Sequence, residues 1–278
     1  MPDVKIDETL TLHYELDCFA EPWTKPETIL LVHGIGGASE EWFAWVPPLS
    51  ADYQVLRVDL RGWGRSTVPP LDFPWSMRNF ADDLVALMDR LGLEKVHFVG
   101  TKLGGRIGLH FAHAHPERLH SLTLVCTPVS IRTIPGDSRA LRPTLEGGSE
   151  SVREWSERTM PERLGEVSAE MLDWWNALYS RSEPSVISGI FDLAWDTEEH
   201  EMLPGLSVPV LVIDSDVPKP PVAFRREWQA RIPDVELAVV PITTEGRMIS
   251  ASKPAECVAA LRSYLQRRAA GTATRAAE

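Results

Sequence analysis

The run Thr28-Ile-Leu-Leu-Val32 carries no polar residue between its ends and no alternation. A strand with one face in water alternates apolar and polar residues. A strand covered on both faces does not need to, and double coverage is the usual condition of a parallel sheet. The same reading applies to Val96–Val99, Ser121–Cys126 and Val208–Asp214. Between these runs the period changes. Gln54–Asp59 reads as a further strand, and the helix after it is capped by Ser76, carries Phe80, Leu84, Leu87, Met88 and Leu91, and stops at Gly92. A helix Gly105–His115 follows Val96–Val99, and a helix Val222–Arg231 follows Val208–Asp214. Val235–Val240 is the last strand and Pro254–Arg268 the closing helix. Near the start, Val4–Ile6 and the alternating Leu10, Leu12, Tyr14 and Leu16 read as a strand pair. Repeated strand–helix units of this kind predict an α/β fold with a mostly parallel, doubly wound sheet of about eight strands flanked by helices.

The rhythm breaks over residues 131–203, where Trp155, Trp174, Trp175, Tyr179, Phe191 and Trp195 sit in mostly helical patterns with punctuation at Pro135-Gly136 and Gly147-Gly148. This segment is expected to be a helical cap inserted into a core domain made of 1–130 and 204–269, with 270–278 a disordered tail. The 278 residues suffice for one such domain and a large core. The net charge of −12 comes without a basic patch, which argues against nucleic acid and anionic membranes. No apolar run approaches the roughly 20 residues that span a bilayer. The three cysteines, Cys18, Cys126 and Cys257, form neither a metal spacing nor a disulfide framework. A cytoplasmic protein that uses no cofactor and no metal is expected, and homodimerisation is left open.

The chemistry concentrates after Val96–Val99, in Gly100-Thr-Lys-Leu-Gly104. A strand, a tight Gly-x-X-x-Gly turn and a helix form a nucleophile elbow, which lifts its middle side chain above the sheet at a helix N-terminus. Serine is the usual middle residue, and here it is Lys102.

With Leu31-Val-His-Gly-Ile-Gly36, Asp59-Leu-Arg-Gly-Trp-Gly-Arg-Ser66, the elbow frame, Leu206-Ser-Val-Pro-Val-Leu-Val-Ile213 and the Lys253-Pro254 helix start, the chain resembles the α/β-hydrolase superfamily over nearly its whole length. Within it, small capped bacterial members such as 3-oxoadipate enol-lactonases, esterases and C–C hydrolases look nearest. The resemblance implies a Ser, Asp/Glu, His triad in that order. Lys102 stands at the nucleophile position. Asp216 falls at the acid position when the Pro220-Pro221 pair is aligned, and Arg247 at the histidine position, about seven residues before Pro254. No histidine follows His200. Serine is activated only by a base placed to take its proton, so an acyl-enzyme route through these positions is closed. The resemblance also places the oxyanion hole on the backbone N–H groups of Ile35 and Leu103.

A lysine at a helix N-terminus, beside those amides and under a tryptophan-rich cap, is disfavoured as ammonium. A neutral amine attacks carbonyls to give Schiff bases, which suits decarboxylation of a β-keto acid, retro-aldol cleavage or elimination. Arg247 would then hold a substrate carboxylate. Three other readings remain. A charged Lys102 acts electrostatically on an enolate, with Asp216 or Glu245 as base. Lys102 pairs with Asp216 in an inactive, ligand-binding protein. An unrecognised group carries out hydrolysis. His33 and Gly34 are expected to shape the oxyanion loop, and Asp59, Arg61 and Ser66 to tie the loop after their strand. Trp155, Trp174, Trp175 and Cys126 are candidate pocket walls. His110 and His113, three residues apart, lack the carboxylate partners of a metal site. A small-molecule substrate or ligand is the expected partner.

Overall fold

The computed structural model describes residues 2–132, 150–217, 221–242 and 246–276. In chain order the main elements are β1 (Asp3–Lys5), β2 (Thr11–Asp17), β3 (Thr28–Val32), α1 (Val46–Ser50), β4 (Gln54–Val58), α2 (Met77–Arg90), β5 (Val96–Thr101), α3 (Leu103–Ala114) and β6 (Leu119–Val125). Then follow α4 (Val152–Leu164), α5 (Ala169–Tyr179), α6 (Pro184–Asp196), β7 (Val210–Ser215), α7 (Val222–Gln229), β8 (Val235–Val240), α8 (Ile249–Ser252) and α9 (Pro254–Ala276). The eight strands form one sheet in the order β1-β2-β4-β3-β5-β6-β7-β8. Only β2 runs against its neighbours, pairing antiparallel with β1 and β4. The ladders from β4 to β8 are all parallel.

The unbroken apolar runs have a direct structural cause. Successive strand residues point to opposite faces. Leu30, Val32, Phe98, Leu122, Leu124, Val210 and Val212 pack on one face against Phe80, Leu84 and Leu87 of α2 and Ile107 and Phe111 of α3. Ile29, Leu31, Val99, Val125, Leu211 and Ile213 pack on the other, against Trp42, Trp45 and Leu49 and against Cys257, Val258, Leu261, Tyr264 and Leu265 of α9. Both faces are covered, so apolar residues dominate both parities of the strands, and the polar exceptions such as His97, Ser121 and Thr123 are buried as well. Each such side chain stabilises the fold by about 1.5–3 kcal/mol on burial.

Helices α4, α5 and α6 are inserted between β6 and β7. Ser151 and Glu154 form a reciprocal capping box at the start of α4, and Ser168 accepts the Met171 N–H at the start of α5. The three helices hold a third apolar cluster, Trp155, Met160, Leu164, Trp175, Leu178, Tyr179 and Ile187, which also takes in Ala38 and Met248 from loops at the sheet end. Pro135-Gly136 and Gly147-Gly148 lie outside the described residues. The returning chain is fastened by a buried ion pair. Arg106 of α3 meets both carboxylate oxygens of Glu199 at 3.0 and 2.9 Å, and donates to the carbonyls of Ala194 and Thr197 at 2.7 and 2.6 Å.

Two element ends differ from the sequence reading. The closing helix does not stop at Arg268 with a disordered tail from Ala270, but continues to Ala276. Its last turns are rich in alanine, the strongest helix former, which offsets Gly271. Strand β5 extends to Thr101 and α3 starts at Leu103, so the turn between them is Lys102 alone. Among the described residues, no helix is long and apolar enough to cross a membrane.

Candidate active site

The elbow is held by close backbone approach. A Cβ on Gly100 would overlap the Gly104 backbone, one on Gly104 would overlap the Val32 carbonyl, and one on Gly105 would overlap the Thr127 side chain. Strand β5, helix α3 and the end of β3 therefore meet at distances that only glycine permits. Between them Lys102 adopts φ 51°, ψ −111°, and Cys126, just after β6, also has a positive φ of 44°. Such backbone strain costs on the order of 1–3 kcal/mol at a non-glycine residue and persists only where the surroundings enforce it.

Lys102 is partly buried, with its Cβ packed toward Gly34 of the loop after β3. Burial holds its ammonium below the usual lysine range. Cys126 and Asp214 oppose that shift, and Arg247 and Arg163 add to it. Among the described residues no hydrogen bond or ion pair reaches Nζ. The thiol of Cys126 is pushed up to about 11 by burial, so it remains protonated beside the amine.

The expected Lys102–Asp216–Arg247 constellation is not assembled as such. Asp216 is exposed and accepts the Ile242 N–H at 3.0 Å. The carboxylate in electrostatic reach of Lys102 is Asp214, the last but one residue of β7. It is already engaged, by Arg225 at 2.5 Å, Gln229 at 3.0 Å and the Ser215 N–H at 2.9 Å. The reason for the difference is local. β7 runs on through Ser215, so Asp214 stays in the buried sheet and Asp216 falls beyond it. Arg247 lies within electrostatic reach of Lys102, but its guanidinium is ion-paired with Glu162 of α4. Its backbone N–H and that of Met248 both donate to the Arg163 carbonyl, at 2.6 and 2.8 Å. Gly246 makes this docking possible, because a Cβ there would overlap the Leu164 carbonyl. Arg247 is thus spoken for by the inserted helices and is not a free carboxylate receptor.

The oxyanion loop is well defined. His33 is fully buried, its Nδ1 lies 2.7 Å from the Gly34 carbonyl, and its Nε2 accepts the Leu60 N–H at 3.0 Å. Those bonds fix one neutral tautomer, and burial lowers its pKa, so His33 ties two loops together rather than shuttling protons. Among the described residues the Ile35 and Leu103 N–H groups have no partner within the chain, as two oxyanion donors would require. Asp59 fastens the neighbouring loop through the Ser39 and Arg65 N–H groups at 2.6 and 2.9 Å, with Ser66 bonded to its carbonyl. Arg61 pairs with Asp83 of α2 instead of Asp59.

Three groups around this site carried no motif. Glu41, 6% exposed, lies against Gly37. Burial raises its pKa well above the usual carboxylate value, and Asp59 adds to the shift. Tyr179 lies against Gly36, whose φ of +78° and missing Cβ leave room for the ring. Arg163 has its guanidinium 4.5 Å from the Trp155 ring and 5.5 Å from the Tyr179 ring. Trp155 and Trp175 are fully buried in the inserted helices, while Trp174 is half-buried and packs edge-on against Phe43. Glu245 lies outside the described residues. Among those described, no group of three or more His, Cys, Asp or Glu side chains could hold a metal ion.

A family model described as alpha/beta hydrolase fold matches residues 27–236. The chain is 40% identical over 116 residues to "Putative carbamate hydrolase RutD" of Caulobacter vibrioides, a stretch that is 41% of each chain. It is 33% identical over 114 residues to "Bifunctional epoxide hydrolase 2" of Sus scrofa, 40% of this chain and 20% of that protein. The chain therefore spans about two-fifths or less of the length of these curated relatives. Among solved structures, the enol-lactonase from Burkholderia xenovorans LB400 superposes with a TM-score of 0.80 at 21% identity, covering 95% of this chain and all of that one. A hydrolase from Pseudomonas aeruginosa PA01 gives a TM-score of 0.81 at 23% identity, covering 95% and 97%. At those identities the likeness is one of fold.

Proposed function

Because the chain belongs to the α/β-hydrolase fold family, we propose that it is an enzyme of that fold working without a serine–histidine pair, in which the Lys102 amine attacks the carbonyl of a small substrate. The observation that carries this reading is the elbow lysine itself: forced into a strained backbone conformation, partly buried, unpaired among the described residues and depressed in pKa. In the proposed step the neutral Nζ adds to the carbonyl carbon. The carbonyl oxygen takes up protons and leaves as water, and the iminium forms on Nζ. For a β-keto acid, the bond to the carboxylate carbon then breaks and its electron pair flows into the iminium. Carbon dioxide leaves, and protonation and hydrolysis of the enamine return the ketone and the amine. In this reading the Ile35 and Leu103 amides receive the oxygen as charge develops on it.

A second reading, ligand binding without turnover, is favoured by one observation: the carboxylate nearest in electrostatic effect, Asp214, is already bound by Arg225 and Gln229. One experiment separates the two. Incubation with carbonyl compounds and cyanoborohydride, followed by peptide mass analysis, should place a reduced adduct on Lys102 and on no other lysine. Saturable binding without any such adduct and without turnover supports the second reading and defeats the first.

A further inference from the structure

The charges around Lys102 do not balance locally. Asp214 is satisfied by Arg225, and Glu162 by Arg247. Arg158, one turn before Arg163, is satisfied by Glu150 at 2.7 Å. Glu41 is buried, which raises its pKa well above the usual carboxylate value. Lys102 and Arg163 are left with no ion-pair partner among the described residues; Lys102 packs toward Gly34 and Tyr179 toward Gly36 of the same loop, and the Arg163 guanidinium lies 5.5 Å from the Tyr179 ring. Elsewhere the chain is strongly acidic, with a net charge of −12. Two basic groups left uncompensated in a partly buried site favour an anion as the missing partner.

The geometry of Arg163 narrows the anion. Its guanidinium lies 4.5 Å from the centre of the Trp155 ring and 5.5 Å from that of Tyr179, and its backbone carbonyl receives the Arg247 and Met248 amides, which anchors its main chain. A guanidinium has five N–H donors in a rigid fork. That fork suits the two oxygens of a carboxylate. We propose that Arg163, and not Arg247, is the carboxylate receptor of this site, and that the substrate is an oxo acid bound as its anion, with its carboxylate on Arg163 and its carbonyl at Lys102. This assignment builds on the Lys102 reading and names the substrate class for it.

The test uses acetoacetate, levulinate and their methyl esters as probes, measured by calorimetry on the full chain carrying Lys102→Met. That background removes the amine chemistry, so binding is read alone. The acids should bind roughly 10- to 100-fold more tightly than the esters, the range expected when a charge-assisted hydrogen bond is lost. Arg163→Gln in the same background should bring acid and ester together, and Arg163→Lys should restore part of the difference through a single-point contact. Thermal unfolding of each variant checks that it folds, and the Arg163→Lys result carries the argument if Arg163→Gln does not. Equal binding of acid and ester, an acid preference that survives Arg163→Gln, or no binding of any probe overturns the assignment. The Lys102 reading is judged separately. If the wild-type chain forms no cyanoborohydride adduct with any of the four compounds while the acid preference persists, the amine mechanism fails and the carboxylate site stands.

Discussion

Lys102 and Arg106 stand four residues apart at the start of the elbow helix, and the fold treats them in opposite ways. Arg106 is 1% exposed and spends its guanidinium on both oxygens of Glu199 and on two carbonyls of the returning chain. Lys102 has its ammonium pushed down by burial and no bonded partner among the described residues. A buried cation that holds a fold together is paired and hydrogen-bonded, because desolvation would otherwise exceed its attractions. Arg106 meets that condition and Lys102 does not. The difference separates a structural charge from one kept available, and it does so within a single helical turn.

The contrast can be broken at its strong end first. Replacing Glu199 by Gln leaves Arg106 buried without its counter-charge, and should lower stability by about 3–5 kcal/mol, the usual cost of removing one partner of a buried pair. Urea unfolding measures it, and a loss below about 1 kcal/mol would remove Arg106–Glu199 as the fastening of the inserted helices. The same operation at the other end should have the opposite sign. Lys102→Met should raise stability at pH 7 while removing the cyanoborohydride adduct. The sign follows from linkage: a lysine whose folded pKa is depressed contributes stability above its unfolded value of 10.5 and loses it as pH falls through the folded value. The gain from Lys102→Met should therefore shrink as pH approaches 10.5, and a stability loss at pH 7 would mean that Nζ has a stabilising partner.

The smallest expected effect concerns Glu41, whose folded pKa is raised above 4.5 by burial, with Asp59 and the Gly34 amide as its other influences. A raised carboxyl pKa means that stability is complete below the unfolded value and falls as pH rises toward the folded one. Glu41→Gln does not titrate. It should match the wild type near pH 4 and exceed it increasingly toward pH 8 in melting temperature. Parallel pH curves for the two proteins would show that Glu41 is ionised in the folded state.

The sheet and the elbow were legible because both leave one-dimensional traces. Strands covered on both faces favour apolar residues at both parities, and the close approach at Gly100 and Gly104 excludes any Cβ. The partners of Lys102 left no such trace. Asp214 and Asp216 are two residues apart, and the sequence does not show that the strand ends between them. The ion pair of Arg247 with Glu162 depends on how α4 docks on the 246–248 loop. Arg163 was hidden among the evenly spaced Arg153 and Arg158 of the same helix. Those two meet Glu157 and Glu150, and only packing against Trp155 and Tyr179 distinguishes the third. Helix ends were readable where a cap marked them, as at Ser76, and less so at the alanine-rich C-terminus.

The account stands or falls on the ionisation of one amine among the six lysines of the chain. Titration of the lysine side-chain resonances by NMR, with the Lys102 signal assigned as the one absent from Lys102→Met, measures it directly. The account predicts that Lys102 titrates clearly below the other lysines and shifts upward when Arg163 is replaced by Gln, since Arg163 is one of the charges that depress it. A Lys102 signal that titrates with the rest, unmoved by Arg163→Gln, would contradict the central claim and leave the elbow with an ordinary charged lysine.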